Sequence, residues 1–350
     1  MSNNLLNDGR PHTRKQLMKK LLVTGGAGFI GSHFVKHVLA AKPDWCIVNL
    51  DAVTYAGNPR NLIGLTKGQR ERHTLVHGNV CDFRLLSSLF ADDSFDAVIH
   101  LAAESHVDRS IHRPAPFVKT NINGTFQLLE AALKHWNDRG RPGFFRVVYI
   151  STDEVFGSLE EGRTADENAP FAPSSPYAAS KAAACHLTAA YHKTFDLPTL
   201  ITHCSNNFGP HQYPEKLIPL TIKNIIDRKP LPVYGDGQNV RDWMYVMDTC
   251  AAISAVLEKG RPGKAYNAGA GNALRNIDLV HMICDLLDHR LGSRPSSRRL
   301  IKYVKDRLGH DRRYALDTTR IRTEIGWRPQ AVFEKAMADT IDWYASSSTG

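Results

Sequence analysis

Through the first two hundred residues, short apolar runs alternate with longer stretches whose apolar positions recur at helical spacing. The runs are Lys20–Thr24, Cys46–Asp51, Thr74–His77, Ala97–Leu101, Arg146–Ser151 and Thr199–Cys204. Strand patterns alternating with helical ones predict an α/β fold with a doubly wound parallel sheet, covered by helices on both faces. Ligands of such sheets gather beyond the carboxyl ends of the strands, where this chain carries Gly25, Asp51, Ala102 and Thr152. Beyond about Ser205 the pattern loosens into segments punctuated by Pro and Gly. That change predicts a smaller α/β domain closing over a substrate.

A chain of 350 residues that is 42% hydrophobic is long enough for two such units. Its formal charge of +9 fits an anionic partner, but no RNA-binding signature or aromatic-basic interleaving accompanies it, so a small anionic substrate is expected rather than nucleic acid. The cysteines at 46, 81, 185, 204, 250 and 284 show no paired ligand spacing, which favours a reducing cytoplasm and no metal site. No apolar run approaches the roughly 20 residues of a membrane helix. Met1 to Lys20 is polar and basic, without the hydrophobic centre of a signal peptide, and residues 1–18 are expected to be a disordered tail.

The first strand runs into Gly25-Gly26-Ala27-Gly28-Phe29-Ile30-Gly31, which satisfies G-x-G-x-x-G from Gly26 and G-x-x-G-x-x-G from Gly25. Glycines there permit a tight turn and let the backbone approach a pyrophosphate, which the amino terminus of the next helix then meets. Asp51 follows at about the 20-residue distance where an acid bonds the adenosine ribose, and it repels a 2′-phosphate, so NAD is preferred over NADP. Asn79 and Val80 after the third strand, and Leu101, Ala102 and Ala103 after the fourth, are further candidates. A Rossmann domain is therefore expected over 19–205, with residues near 240–255 returning to it and 206–345 mainly binding substrate.

Tyr177 and Lys181 are spaced to share one helix face, with Ser175-Pro176 as the helix start. A nearby ammonium lowers a phenol pKa, so Tyr177 can take a hydroxyl proton while hydride leaves the same carbon. Thr152 at the end of the fifth strand is the partner hydroxyl. Asp153 and Glu154 follow it, where a turn can aim both at one ligand and different surroundings can make one an acid and the other a base.

With these residues assembled, the chain resembles the extended short-chain dehydrogenase/reductases and, within them, the dTDP-glucose 4,6-dehydratases. The resemblance runs from about Lys20 to Tyr344 and includes Leu50–Asn58, Ala102–Ile111, Ser151–Gly157, Ser205–Pro219, Asn239–Val246 and Gly309–Ala315. It implies that Tyr177 is the base for the sugar 4-hydroxyl, supported by Lys181, with Thr152 holding that hydroxyl. Glu154 then removes the C5 proton and Asp153 protonates the departing C6 hydroxyl. Hydride passes to NAD and back, so the cofactor is regenerated each turn.

For the cofactor the resemblance adds Phe29, Ile30, Thr54, Ser105, Thr120 and Asn207. For the nucleoside-diphosphate sugar it implies Ser105, Thr152, Asn206, Lys216, Leu217, Arg241, Asn276, Asp306 and His310, with Pro232, Val233 and Tyr234 flanking the base. Lys216 and Arg241 can neutralise a diphosphate, Arg241 with directional paired bonds. The chain departs from the family pattern at Phe156 and Phe208, where tyrosine is usual. Leu308, Asn79 and His203 stand for proline, aspartate and asparagine, and residues 273–275 also differ.

A 4-epimerase on the same scaffold needs no acid pair at 153 and 154, and an inactive NAD-binding protein need not keep Thr152, Tyr177 and Lys181 together. Uracil and thymine nucleotides remain open alternatives, since a methyl contact is worth only about 1 kcal/mol. Relatives dimerise through helices containing the Asn121–Leu133 and Tyr177–Tyr191 segments, so a homodimer is expected.

Overall fold

The computed structural model describes residues 19–292 and 295–347; the expected tail at 1–18 lies outside the described residues. The strands are β1 Lys19–Thr24, β2 Trp45–Asp51, β3 His73–His77, β4 Ala97–His100, β5 Arg146–Thr152, β6 Thr199–Cys204, β7 Asn206–Phe208, β8 Leu231–Tyr234, β9 Val240–Tyr245, β10 Ala265–Ala268, β11 Ala273–Arg275 and β12 Ile301–Val304. Seven of them form one sheet in the order β10-β6-β5-β4-β1-β2-β3, with every neighbouring pair parallel. All six strands predicted from the pattern are in it. The seventh, β10, is a four-residue strand that lies beyond the point where the alternating pattern loosens. It joins by registering Ala265 to Ala268 against Ile201 to Cys204.

The central strands are apolar on both faces because both faces are covered. All four residues of β4 are buried, whereas the edge strand β3 has none buried. One face packs Val23, Ile99 and Val148 against Phe34 and Val38 of helix Phe29–Ala41 and against Ile253 and Val256 of helix Val246–Lys259. The opposite face packs Leu22, Val98 and Val147 against Phe90, Leu128 and Leu129. A third cluster, including Phe208, Ile222, Trp243, Ile283 and Met337, lies under helices Leu217–Ile226, Asn276–Leu291 and Phe333–Ser347. Beside it run a sheet ordered β11-β9-β7 and a parallel pair, β12 with β8.

Strand β1 lies between β2 and β4, so the loops leaving β1 and β4 diverge and open a crevice at their carboxyl ends. Gly25, Asp51, Ala102 and Thr152 sit at this edge. Among the described residues, no helix is long and apolar enough to cross a membrane.

Candidate active site

The crevice is built around two glycines. Gly25 holds a positive φ of 76°, and a Cβ on it would lie 2.6 Å from the backbone nitrogen of Ala102. A Cβ on Gly31 would lie 2.1 Å from the Gly25 carbonyl oxygen. Gly28 caps helix Phe29–Ala41 with no side-chain hydrogen bond, so the first N–H groups of that helix are open to an anion. Asp51 is buried and accepts from the backbone N–H groups of Ala27 and Val53, both at 2.8 Å. Its carboxylate therefore ties the glycine loop to the end of β2.

The walls of this cavity include Gly25, Gly28, Phe29, Ile30, Gly31, Asp51, Thr54, Asn79, Val80, Leu101, Ala102, Ala103, Ser105 and Thr120, with Tyr177 and Lys181 also on the wall. Asn207 is the exception among the expected cofactor residues. Its amide donates to the Ser205 carbonyl at 2.9 Å and accepts from the Thr249 hydroxyl, and it forms no part of the wall. The glycine cradle, the uncapped helix end and the placed carboxylate fit NAD. Gln212 and Tyr213 also line the cavity. They come from a loop with no strand or helix period, inside the Ser205–Pro219 segment that carries the resemblance but not assigned to the cofactor from it.

A buried polar chain ties the cofactor loop to the helix opposite. Thr125 donates to the Asn121 carbonyl at 2.6 Å, so its hydroxyl oxygen accepts from Nε2 of His100 at 3.0 Å. Nδ1 of His100 then accepts from the Thr24 hydroxyl at 2.7 Å, and the Thr24 oxygen accepts from the Ala102 N–H at 3.2 Å. The bond that Nδ1 accepts requires a neutral imidazole, and burial, reinforced by Lys181, lowers the His100 pKa to about 3.

Ser175 accepts from the Ala178 N–H at 3.1 Å and caps helix Pro176–Phe195, as its position before Pro176 predicts. Lys181 is buried and donates to the Ile150 carbonyl at 2.6 Å, with its ammonium 4.3 Å from the centre of the Tyr149 ring. Burial lowers its pKa to about 8. Tyr177 is 8% exposed, and burial raises its phenol pKa well above the usual range. Glu154 and Asp153 add to that rise, against a hydrogen bond with Thr152. Lys181 is directed to the Ile150 carbonyl and is not among the leading causes of this shift.

Thr152 donates to Oδ1 of Asp153 at 3.1 Å and accepts from the Glu154 N–H at 3.3 Å, starting the 3-10 turn Asp153–Phe156. Asp153 is 3% exposed, and its Oδ2 is buried with no hydrogen-bond partner. Burial, then the neighbouring Glu154, raises the Asp153 pKa well above the carboxylate range. Burial also raises that of Glu154, but Arg241, Lys216 and Arg307 pull it back. The two acids thus have different surroundings: Arg241 acts on both, but Lys216 and Arg307 act on Glu154 besides.

Of the residues expected to bind substrate, Ser105 and Lys216 reach the cavity wall, where Lys216 donates to the Ser105 carbonyl at 2.9 Å. Arg241 is buried instead, its terminal nitrogens on the carbonyls of Val240 and Asp311, both at 2.8 Å, and its guanidinium 4.1 Å from the Tyr314 ring centre. Asn206 and Asn276 each bury an amide oxygen with no hydrogen-bond partner. Asp306 and His310 pair at 2.6 Å, and the His310 ring stands 6.1 Å from Tyr234. Val233 is 2% exposed and its side chain packs in the third apolar cluster, with Leu217 partly buried against it; Pro232 is half-buried beside it.

Arg307 was not foreseen. It donates to both oxygens of Asp108, at 2.6 and 3.0 Å, joining the loop after β12 to the helix after β4. The phenyl rings of Phe156 and Phe208 are both buried in apolar clusters, so the hydroxyls they lack are missing from the core.

A doubly wound parallel sheet with a glycine loop at its switch point and a buried Tyr-x-x-x-Lys pair beside it defines a dinucleotide-dependent enzyme of the short-chain dehydrogenase/reductase class. The model of the family described as GDP-mannose 4,6 dehydratase matches residues 22–340. The chain belongs to that family and, within it, to the dTDP-glucose 4,6-dehydratases. It is 48% identical over 340 residues to dTDP-glucose 4,6-dehydratase 1 of Escherichia coli K12, covering 94% of this chain and 93% of the relative. It is 49% identical over 337 residues to dTDP-glucose 4,6-dehydratase of Xanthomonas campestris, covering 95% of each. The structure of the Streptomyces venezuelae dTDP-glucose 4,6-dehydratase, with NAD and dTDP bound, superposes with a TM-score of 0.85 at 45% identity, covering 94% of this chain and 98% of that one. A UDP-glucose 4-epimerase of Thermus thermophilus, in complex with NAD, is more distant at 28% identity and a TM-score of 0.81, covering 94% and 99%.

Proposed function

We propose that the chain converts dTDP-glucose to its 4-keto-6-deoxy sugar nucleotide by removing one water, with NAD as a cofactor that is regenerated in each turn. The observation that carries this reading is the Asp153–Glu154 pair, held beside Thr152 and Tyr177 with one Asp153 oxygen buried and unpartnered. A plain oxidation or a 4-epimerisation has no use for two carboxylic groups of opposite character.

Tyr177 and Thr152 hold the sugar 4-hydroxyl, and Tyr177 receives its proton with Lys181 behind it. NAD, when bound, supplies the hydride acceptor for C4 and the donor for C6, and its cationic ring favours the ionised phenol that burial alone disfavours. Once C4 is a ketone the C5 proton is acidic, and Glu154, whose ionised form Arg241, Lys216 and Arg307 favour against burial, removes it. Asp153, kept protonated by burial, gives its proton to the C6 hydroxyl, which leaves as water. C5 is reprotonated at the end, so no net oxidation remains. Lys216 and Arg307 supply positive charge for the diphosphate, and the amide oxygens of Asn206 and Asn276 are acceptors suited to hydroxyl or N–H groups of the substrate.

The test is incubation of the purified protein with dTDP-glucose and, in parallel, UDP-glucose, without added reductant. Loss of one water with no net NADH, faster on dTDP-glucose, is expected; unchanged mass with C4 inverted overturns the reading in favour of an epimerase.

A homodimer and a cytoplasmic site of action belong to the same proposal. Val118 and Phe126, near and on helix Thr125–Asp138, and Phe195, ending helix Pro176–Phe195, are 54%, 38% and 41% exposed, which suits burial against a second copy. Light scattering that gives a monomer mass would refute the dimer, and recovery of the protein in the envelope fraction would refute the location.

A further inference from the structure

A ladder of aromatic rings stands beside the cofactor cavity and has no part in the chemistry above. It begins at Phe29, which lines the cavity as the first residue of the phosphate-facing helix. Phe29 meets His33 at 5.7 Å between ring centres, His33 meets His211 at 5.6 Å, His211 meets Trp343 at 4.6 Å, and Trp343 meets Tyr344 at 4.7 Å. The Tyr344 hydroxyl then donates to the carbonyl of Gln212. The last two rings belong to the C-terminal helix Phe333–Ser347.

Gln212 and Tyr213, between the ladder and the cavity, line the cavity themselves. Gln212 donates from its side chain to the Asn207 carbonyl at 2.8 Å, and the Tyr213 ring stands 5.3 Å from that of Tyr55. Within the segment from Gly209 to Lys216, backbone support is sparse: Gln212 N to Gly209 O at 3.4 Å and Lys216 N to Tyr213 O at 3.1 Å. Side chains hold it instead: Glu215 meets His106 and Arg109 and Lys216 donates to the Ser105 carbonyl on the cavity side, while the aromatic ladder packs against the outside. His211 is held at a φ of 65°, a conformation that persists for such a residue where its surroundings enforce it, and here the flanking rings of His33 and Trp343 do so. Burial lowers the pKa of both imidazoles, that of His211 to about 4, so they pack as neutral rings.

We propose that Trp343 and Tyr344 are positioning residues for the cofactor: they hold the Gly209–Lys216 strap against the cavity and so set how long NAD stays bound. This inference rests on the NAD-dependent reading above. A reaction that returns its hydride in every turn has no need to exchange the cofactor, and a strap clamped from outside suits long retention.

The test uses the full chain with Trp343→Ala, Trp343→Phe and Tyr344→Phe. The NAD retained after gel filtration, the NAD release rate, the thermal midpoint and turnover with and without added NAD are compared with wild type. Trp343→Ala is expected to release NAD about ten-fold faster, the order of one well-packed aromatic contact, and to emerge depleted of cofactor. Excess NAD restores its kcat. Tyr344→Phe shifts in the same direction by less, and Trp343→Phe stays near wild type. Unchanged retention and release in Trp343→Ala, or a loss of kcat that added NAD does not restore, would overturn the proposal. If Trp343→Ala does not fold, Tyr344→Phe, which removes one hydroxyl, decides alone by its release rate. A wild-type protein that binds no NAD refutes the cofactor reading itself.

Discussion

Thr152 donates to one carboxylate oxygen of Asp153 at 3.1 Å, while the other oxygen of Asp153 is buried and unpartnered. One hydroxyl thus fixes the acid, and the same hydroxyl oxygen accepts the N–H that begins the turn carrying Glu154. The turn is what lets two consecutive residues, which a continuing strand would send to opposite faces, serve one ligand.

Substitution should separate the two acids. Asp153→Asn and Glu154→Gln are each expected to lower kcat by about 10²–10⁴, the usual worth of a positioned acid or base. In D2O, Glu154→Gln should leave C5 of the sugar unexchanged. Asp153→Asn should exchange C5 yet release little water, as read by NMR and mass spectrometry. Equal C5 exchange in both variants would contradict the assignment.

Gly25→Ala should yield protein without NAD. The new methyl would meet the Ala102 nitrogen at 2.6 Å, and a left-handed backbone costs an alanine about 1–2 kcal/mol besides. Comparing absorbance at 260 and 280 nm in the purified variant checks this, and full NAD occupancy would refute it.

Acid should destabilise the fold through His100. Its folded pKa of about 3 lies below the ordinary imidazole value of 6.5, so the unfolded chain takes up a proton first as the pH falls. The stability it contributes is present above pH 6.5 and is lost as pH falls towards 3, reaching about 5 kcal/mol over the whole window. His100→Gln, which does not titrate there, should show a shallower fall in urea-unfolding free energy between pH 6.5 and pH 4. Parallel slopes would show that other groups govern the acid limb.

Phe208→Tyr should add the hydroxyl that the family resemblance implies at this position and yet gain no activity. Phe208 is 0% exposed, 5.6 Å from Tyr245 and 5.4 Å from Phe333 between ring centres. A hydroxyl left unsatisfied there costs about 1–3 kcal/mol. A lower thermal midpoint with unchanged kcat is expected; a rise in kcat would place the position in the site after all.

The sequence by itself determined the elements and the register of the chemistry. Short apolar runs between helical apolar patterns located six strands and, with them, the strand ends where Gly25, Asp51, Ala102 and Thr152 had to lie. Local spacing also set what only neighbours in the chain can set: the glycine turn, the Ser175 cap and the shared face of Tyr177 and Lys181. The tertiary structure decided what depends on distant residues meeting. It brought β10 into the sheet and joined Arg307 to Asp108. It buried Val233 and the phenyl rings at 156 and 208, where the sequence left their exposure open. Above all it set the protonation preferences, because desolvation and the field of surrounding charges belong to no single segment. Burial, Glu154 and Asp153 raise the phenol pKa of Tyr177, and no spacing along the chain carries that information.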